Sequence, residues 1–264
     1  MLNVMLNRIA RLGNVTCTML SNLGRAGIFL TRVIWRVPVK HRLWFMIRLQ
    51  LYSIGVKSCL IIGVSALFIG MVVGLQGYHT LERFGALSQL GPFLALSIVR
   101  ELGPVISALL FAGRAGTALT AELGLMKATE QLSSMDMMGV DPLGHMIYPR
   151  FIAGFLALPL LTLLFAVIAI YGGYAVGVQW LGLDAGSFWS NMQAAVSFRS
   201  DVLGGVIKSL VFAWMVLWIA VDQGFTCVPT ADGISHATTQ TVVYASLTVL
   251  GFDFLLTAMM MGGG

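Results

Sequence analysis

Long stretches without a charged residue make up most of this chain. Three of them, at 58–81, 151–183 and 233–252, are long and apolar throughout. Each reaches the length of about 20 mostly apolar residues that a helix needs to cross a bilayer. The pattern therefore predicts at least three membrane-spanning helices.

Two further spans are predicted if a charged site is tolerated within each. One covers 84–113 and contains Arg100 and Glu101, and the other covers 202–221 and contains Lys208. With these two, the chain is predicted to be an all-α integral membrane protein with five transmembrane helices.

Composition supports this fold class over a very apolar soluble α/β domain. The chain has 264 residues, of which 58% are hydrophobic and 10% are charged. An average soluble domain has about 25% charged residues. A soluble protein with so few charges could not cover its surface with polar groups.

The distribution of charge predicts the orientation. Residues 1–57 contain nine Lys and Arg and neither Asp nor Glu. Basic sequence beside a span stays in the cytoplasm, so we expect the N-terminus inside and, after five spans, the C-terminus outside. The segment 114–150 then lies inside as a loop. The start lacks the features of a signal peptide, although an organellar transit peptide is an alternative.

The segment 14–37 is predicted to form an amphipathic helix that lies in the membrane interface. Its apolar stripe consists of Leu20, Leu23, Leu30, Val33 and Ile34. A simple topology signal is an equally good interpretation of the basic residues. We therefore divide the chain into a basic interfacial segment, 1–50, and a transmembrane domain, 51–264.

The polar segment 122–142 is predicted to hold a short helix from about Lys127 to Met138, ended by Gly139 and followed by Pro142. Its apolar, Met-rich face consists of Ala128, Leu132, Met135 and Met138. The helix is too short and too polar to span. Its apolar face suits either a groove in a partner or the inner surface of its own protein.

Arg100 and Glu101 are adjacent in the middle of the second predicted span. Intramembrane charges are costly and usually face a cavity, the bundle interior or a partner. Pro104 removes the N–H that would bond to the Arg100 carbonyl, and Gly103 before it is biased away from helical geometry. Neighbours on a helix point about 100° apart, so the two charges should seek other partners. We expect a broken or re-entrant second span lining a polar spot; the alternative is an interfacial position.

Two other features leave alternatives open. Asp253 is either a buried partner of Lys208 or Arg100, or a residue near the outer end of the fifth span. Glycines four residues apart occur at Gly70 and Gly74, and again at Gly173 and Gly177. Such pairs allow close helix contact in lipid, and they are a weak indication of a dimer.

The residues form no catalytic set. The four histidines are scattered among the terminus and the loops, and the three cysteines lack the spacing of metal ligands. No Gly-rich loop precedes a Lys-Ser or Lys-Thr pair, so ATP is not bound by that route. We expect neither enzyme activity nor a metal or cofactor in this chain.

Four stretches carry a family resemblance. They are GLQGY at 74–78, RELGPVISALLFAGRAGTALTAELGLMKATEQLSSMDMMGVDP at 100–142, PRF at 149–151 and LGFDFLLTAMM at 250–260. They resemble the MlaE (YrbE) family, the permease subunits of ABC transporters that move phospholipid between the membranes of Gram-negative bacteria. The long block is the most specific, and the resemblance extends over the chain from about Leu51 onward.

The resemblance implies a setting in the bacterial inner membrane, with the C-terminus in the periplasm. Two permease copies would form the core and enclose a lipid cavity open to the periplasm. A cytoplasmic ABC ATPase would bind ATP and Mg, with a small STAS-domain subunit on it. A hexameric, membrane-anchored MCE-domain protein would cap the periplasmic side and exchange lipid with a soluble carrier.

The resemblance also implies two sets of site residues. The lipid cavity would be lined by Leu75, Gln76, Leu81, Phe84, Arg100 and Glu101. The coupling helix that docks on the ATPase would use Glu122, Lys127, Glu130, Leu132, Met135, Asp136 and Met138. An Arg suits a phosphate because its planar fork donates paired hydrogen bonds.

Three rival functions are compatible with the residues. An ABC permease for another hydrophobic or small polar solute would share the architecture, although a polar solute would require more polar groups inside the spans. An ion-coupled secondary transporter would use Glu101 and Asp253 as its ionisable sites. A membrane anchor for the ATPase would not transport at all.

Overall fold

The structure, a computed structural model, describes residues 40–261, together with residues 21, 24–25, 27–28 and 31. The predicted interfacial helix over 14–37 lies largely outside these residues, so it stays a prediction. A helix passes through the proposed boundary between 1–50 and 51–264 without a loop. Within the described residues every regular element is helical.

The helices follow one another as α1 (Lys40–Leu51), α2 (Lys57–Arg83), α3 (Leu90–Ser97), α4 (Gly103–Phe111), α5 (Thr117–Ala128), α6 (Gln131–Met137), α7 (Tyr148–Tyr174), α8 (Ala185–Ala195), α9 (Leu203–Thr226) and α10 (Ala231–Met261). Short π-helical segments join or extend several of them: Tyr52–Val56, Ile98–Leu102, Ala112–Gly116, Leu143–Ile147, Ala175–Trp180 and Phe198–Val202.

Joined in this way, the helices of the described residues form five runs long and apolar enough to cross a membrane. They are Leu43–Arg83, Leu87–Ala128, Leu143–Trp180, Phe198–Thr226 and Ala231–Met260, called spans one to five. The prediction of five spans is confirmed. We call the two ends of the bundle the Arg83 end, where span one ends, and the Gln131 end, where span two ends.

Span two ends later than predicted. We expected it to stop at Gly113, with a loop over 114–150, but the helical run continues to Ala128. The reason is that the charge of Arg114 is accommodated inside the bundle. Its Nη1 donates to the carbonyl oxygens of Ser53 (3.0 Å) and Ile54 (3.2 Å) and to the Ser58 hydroxyl (3.1 Å).

The break expected at Arg100 takes the form of a wide turn: the α-helix ends at Ser97, and the π-helical segment Ile98–Leu102 separates it from the next α-helix. Span two runs without interruption through the π-helical segment Ile98–Leu102. There the N–H of Gly103 donates to the carbonyl of Ile98, five residues earlier. The wide turn accommodates Pro104, which has no N–H to donate, in the first turn of α4.

Glycines bring spans one and three of the same chain into backbone contact. A methyl group at Gly70 would overlap the Ala169 carbonyl oxygen, and one at Gly74 would lie 2.9 Å from the Gly173 Cα. Such close approach strengthens van der Waals packing where the surrounding lipid offers no hydrophobic driving force. The two glycine pairs therefore pack the monomer, and they are no indication of a dimer.

The spans differ in how deeply they are buried. In the most apolar 18-residue stretch of span three, 50% of the residues are buried. In the corresponding stretch of span five, 11% are buried. Span three is therefore central and span five peripheral. Near the Gln131 end, a hydroxyl contact ties span five to the bundle: the Thr120 and Thr241 oxygens lie 2.9 Å apart, and Thr120 also reaches the Ala220 carbonyl (2.9 Å).

Candidate functional site

Charged side chains of spans two, four and five meet inside the bundle, toward the Arg83 end. We call this group the charged cluster; it consists of the charged residues Arg100, Glu101, Asp201, Lys208 and Asp253, together with the hydroxyl of Thr257 that hydrogen-bonds to them. Such a concentration of charge among apolar helices is costly unless each group is paired. The pairing therefore determines what the cluster can do.

Arg100 is paired with Asp201, not with its neighbour Glu101. Its Nε lies 2.7 Å and its Nη2 2.5 Å from the same carboxylate oxygen of Asp201. The Asp201 carboxylate also accepts from the backbone N–H of Ser197 (2.7 Å) and the hydroxyl of Ser200 (3.0 Å). Asp201 is thus fixed at the start of span four and in turn fixes the guanidinium.

Lys208 joins the three spans through its ammonium group. Nζ lies 2.8 Å from Oε2 of Glu101 and 2.8 Å from the Thr257 hydroxyl, which itself donates to that carboxylate oxygen at 3.0 Å. The Asp253 Oδ1 lies 3.5 Å from Nζ, an ion-pair distance, and makes no hydrogen bond to the described residues. Asp253 is therefore the partner of Lys208, which decides between the alternatives left open by the sequence.

The same ammonium group compensates for the proline of span two. Pro104 cannot donate to the Arg100 carbonyl, and Lys208 donates to that oxygen instead, at 3.1 Å. Gly205 makes the approach possible, since a methyl group there would overlap the Val99 carbonyl oxygen. Pro104 and Gly205 thus allow spans two and four to come together at the cluster.

The cluster has a buried layer and a half-exposed layer. The side chains of Asp201 and Lys208 are 1% and 3% exposed, whereas those of Arg100 and Glu101 are 49% and 40% exposed. Two buried counter-ions therefore hold two opposite charges at the surface of the bundle. The prediction that Arg100 and Glu101 seek partners other than each other is confirmed.

The other residues expected to line a lipid cavity lie at the Arg83 end of span one. Leu75 and Leu81 are half-buried, Gln76 is exposed, and Phe84 lies exposed in the turn after the span. The hydrogen bonds described for the charged cluster do not involve these four residues.

The predicted coupling helix is shorter than expected and starts later. It covers Gln131–Met137, because Glu130 adopts a left-handed conformation (φ 56°) that separates it from span two. Gly139 (φ 73°) follows its end, as predicted. Leu132 is buried against the chain and Met135 is partly buried. Asp136 is exposed, and Met138 is 70% exposed. The Met-rich surface thus remains open to solvent.

Two expected coupling residues lie in span two instead. Glu122 pairs with Arg150 at 3.3 Å. The Lys127 ammonium donates to the carbonyls of Phe225 and Cys227, both at 2.8 Å, and so caps the last turn of span four. Burial raises the pKa of the Cys227 thiol, and the nearby Lys127 charge opposes part of this rise.

Sequence reasoning missed Asp201 and Thr257. The signal for Asp201 was an acid followed closely by Gly204 and Gly205, since small residues allow close helix contact at that point. Thr257 gave no signal, because a threonine in a transmembrane helix commonly bonds its own backbone. Among residues 40–261, no group of three or more His, Cys, Asp or Glu could hold a metal ion.

Comparison with known proteins identifies relatives along nearly the whole chain. Residues 47–259 match the family described as Permease MlaE. The chain is 54% identical over 261 residues, 99% of it and 100% of the relative, to a Haemophilus influenzae protein named intermembrane phospholipid transport system permease protein MlaE. It is 32% identical, over 96% of this chain and 98% of the relative, to a probable ABC transporter permease protein of Rickettsia bellii.

A more distant relative comes from a plant. The chain is 32% identical over 214 residues to the chloroplastic protein TRIGALACTOSYLDIACYLGLYCEROL 1 of Arabidopsis thaliana, covering 81% of this chain and 61% of that protein. The match to the family extends from span one into span five and includes the whole charged cluster. This chain, with its five spans and its charged cluster, therefore belongs to the MlaE permease family.

Proposed function

We propose that this chain is the membrane-spanning subunit of an ATP-driven ABC transporter that moves phospholipid between the inner and outer membranes of a bacterium. The name of the Haemophilus relative supports the substrate, and that of the Rickettsia relative supports the transporter class. The observation that carries the proposal is the pair Arg100 and Glu101, half-exposed and held by buried counter-ions within apolar spans. Such a site suits a molecule with a charged head and apolar tails.

The lipid site in this proposal combines the charged cluster with the Arg83 end of span one. Arg100 and Glu101 bind the headgroup, and the apolar chains lie along Leu75, Leu81 and Phe84, with Gln76 near the headgroup. The exposed aromatic ring of Phe84 offers apolar surface for acyl chains. Arg100 supplies the donors that a phosphate requires.

ATP hydrolysis in this proposal occurs on a separate cytoplasmic ABC ATPase, which carries ATP and Mg. The coupling surface is the helix Gln131–Met137 with its flanks. The exposed Met137 and Met138 side chains, 83% and 70% exposed, support a partner groove over packing on this chain. Glu130 and Asp136 place negative charge beside that apolar surface. Glu122 and Lys127 lie just before it in span two, where they contact Arg150 and the last turn of span four respectively.

The assembly in this proposal contains two copies of this chain, a STAS-domain subunit on the ATPase and a hexameric periplasmic MCE-domain protein. It lies in the inner membrane with the N-terminus in the cytoplasm and the C-terminus in the periplasm. The nine basic residues before span one support this orientation. The Arg83 end and the charged cluster then face the periplasmic half of the membrane.

Lipid transfer by the reconstituted assembly tests the function. Vesicles that contain the chain and its ATPase should transfer fluorescent phospholipid with ATP and not with a non-hydrolysable analogue. Arg100→Ala should lower bound and transferred phospholipid about tenfold, the loss expected for one charged hydrogen bond. Arg48→Ala, an exposed arginine at the Gln131 end of the bundle and far from the cluster, is the matched control. Unchanged binding and transfer in Arg100→Ala would refute the site.

A pull-down tests the coupling surface. Met138→Glu should release the ATPase by placing a charge in an apolar contact, whereas the exposed Gln193→Glu at the opposite end of the bundle should retain it. Retention of the ATPase by both variants would contradict this assignment. Normal elution of each variant from a sizing column shows that the permease is folded.

An ion-coupled secondary transporter is the second candidate, because Glu101 and Asp253 share the single ammonium group of Lys208. Shared ionisable groups of this kind occur in proton relays. Transport that continues after the ion gradient is dissipated, and stops without ATP, excludes this candidate.

A further inference from the structure

In the half-exposed layer of the charged cluster, one hydrogen-bond donor of Arg100 and one acceptor of Glu101 have no partner among the described residues. Asp201 occupies Nε and Nη2 of Arg100, so the Nη1 amino group makes no hydrogen bond to the described residues. Lys208 and Thr257 occupy Oε2 of Glu101, which leaves Oε1 without a hydrogen bond to them. A free donor and a free acceptor thus lie on consecutive residues of span two, each held by its own counter-ion in span four.

The buried layer keeps these two groups charged and apart. Arg100 and Glu101 each have their own counter-ion, in span four, so neither neutralises the other. Holding the charges on separate partners preserves a positive and a negative position side by side. A ligand that carries a phosphate and an ammonium on a short flexible link offers a partner to each position.

The formal charge of the cluster disfavours an anionic ligand. Arg100 and Lys208 give two positive charges, and Glu101, Asp201 and Asp253 give three negative ones, so the sum is −1. A headgroup whose only charge is a phosphate would raise the negative total and leave Glu101 facing it without a partner. A headgroup that also carries an ammonium leaves the total unchanged and supplies that partner.

We propose that the charged cluster selects a zwitterionic phospholipid headgroup of the phosphoethanolamine type, with the phosphate on Nη1 of Arg100 and the ammonium on Oε1 of Glu101. A phosphoglycerol headgroup satisfies only the first contact. This inference rests on the proposed function, because it takes a phospholipid as the ligand. It adds the headgroup class that the site accepts and gives Glu101 a role in specificity.

Competition between two headgroups tests the proposal. The full chain is reconstituted in vesicles of equimolar phosphatidylethanolamine and phosphatidylglycerol with the same acyl chains, extracted in mild detergent, and its bound lipids are quantified by mass spectrometry. We expect about tenfold enrichment of phosphatidylethanolamine, as one charged hydrogen bond provides. Glu101→Gln should bring the bound ratio close to that of the vesicles, and Asp232→Asn, an exposed carboxylate outside the cluster, should not.

A second measurement needs no variant. Replacing phosphatidylethanolamine by its N-acetyl derivative removes the ammonium charge and leaves the phosphate, so the wild-type chain should lose the enrichment. Equal binding of the two headgroups by the wild-type chain, or enrichment that persists after N-acetylation, would overturn the headgroup inference while leaving phospholipid as the ligand. A chain that retains no phospholipid from any vesicle would instead refute the proposed function.

Discussion

Replacing Lys208 by Met is the sharpest test of how the bundle is held together. Methionine keeps a similar length and apolar character but removes the ammonium group, which contacts Glu101, Thr257 and the Arg100 carbonyl within 3.1 Å. The substitution leaves the carboxylates of Glu101 and Asp253 near each other without a cation. We expect the folded chain to lose stability for this reason.

The magnitude follows from burial. Removing one partner of a fully buried ion pair costs about 3–5 kcal/mol. Lys208 is 3% exposed but Glu101 is 40% exposed, and solvent screens part of the loss. We therefore expect a cost of about 2–3 kcal/mol. For a chain of this size, that lowers the midpoint of thermal unfolding by about 5–10 °C.

Thermal unfolding in detergent, followed by tryptophan fluorescence, measures the shift. The exposed Lys57→Met is the matched control and should change the midpoint little. Adding Glu101→Gln to Lys208→Met should recover part of the loss, because the stranded carboxylate is removed, with a coupling energy of about 1 kcal/mol or more. A stable Lys208→Met variant, or a double variant whose losses simply add, would refute the reasoning.

Four further predictions follow from other contacts. Gly70→Leu should prevent folding, because its side chain would enter the Ala169 carbonyl; yield from a sizing column measures it. Glu130→Gly should stabilise by about 1 kcal/mol in thermal unfolding, because it relieves a left-handed backbone. Lys127→Ala should speed hydrogen exchange in the last turn of span four by freeing two buried carbonyls. In a chain with its other two cysteines replaced by serine, Cys227 should react with maleimide more slowly at pH 8 when folded than when denatured. Burial raises the pKa of its thiol, and only the thiolate attacks.

Each of these predictions has a matched control. Gly113→Leu tests the effect of a larger side chain, since nothing lies within 4 Å of a methyl group there; equal yields of the two leucine variants would contradict the packing argument. Glu130→Val should destabilise where glycine stabilises. Lys57→Ala should leave exchange in span four unchanged. Labelling of folded Cys227 as fast as that of the denatured chain would exclude the raised pKa.

The sequence determined the class of the fold and the number of its spans. Apolar runs of bilayer length carry that information locally, because the hydrocarbon core demands about 20 apolar residues from each helix regardless of its neighbours. The turn signals at Gly139 and Pro142 likewise marked the end of the short helix. The ends of span two could not be read in this way, because the charge of Arg114 is tolerated only through oxygens that span one supplies.

For the candidate site, too, the sequence determined one part and the tertiary structure determined the other. The sequence by itself identified Arg100 and Glu101 as misplaced charges, and Pro104 as a residue that leaves a carbonyl without a donor. Only the tertiary structure decided their partners, because Asp201 and Lys208 lie about 100 residues farther along the chain. The cost of an unpaired charge in lipid is a local property that a sequence reveals, whereas its compensation depends on which helices pack side by side.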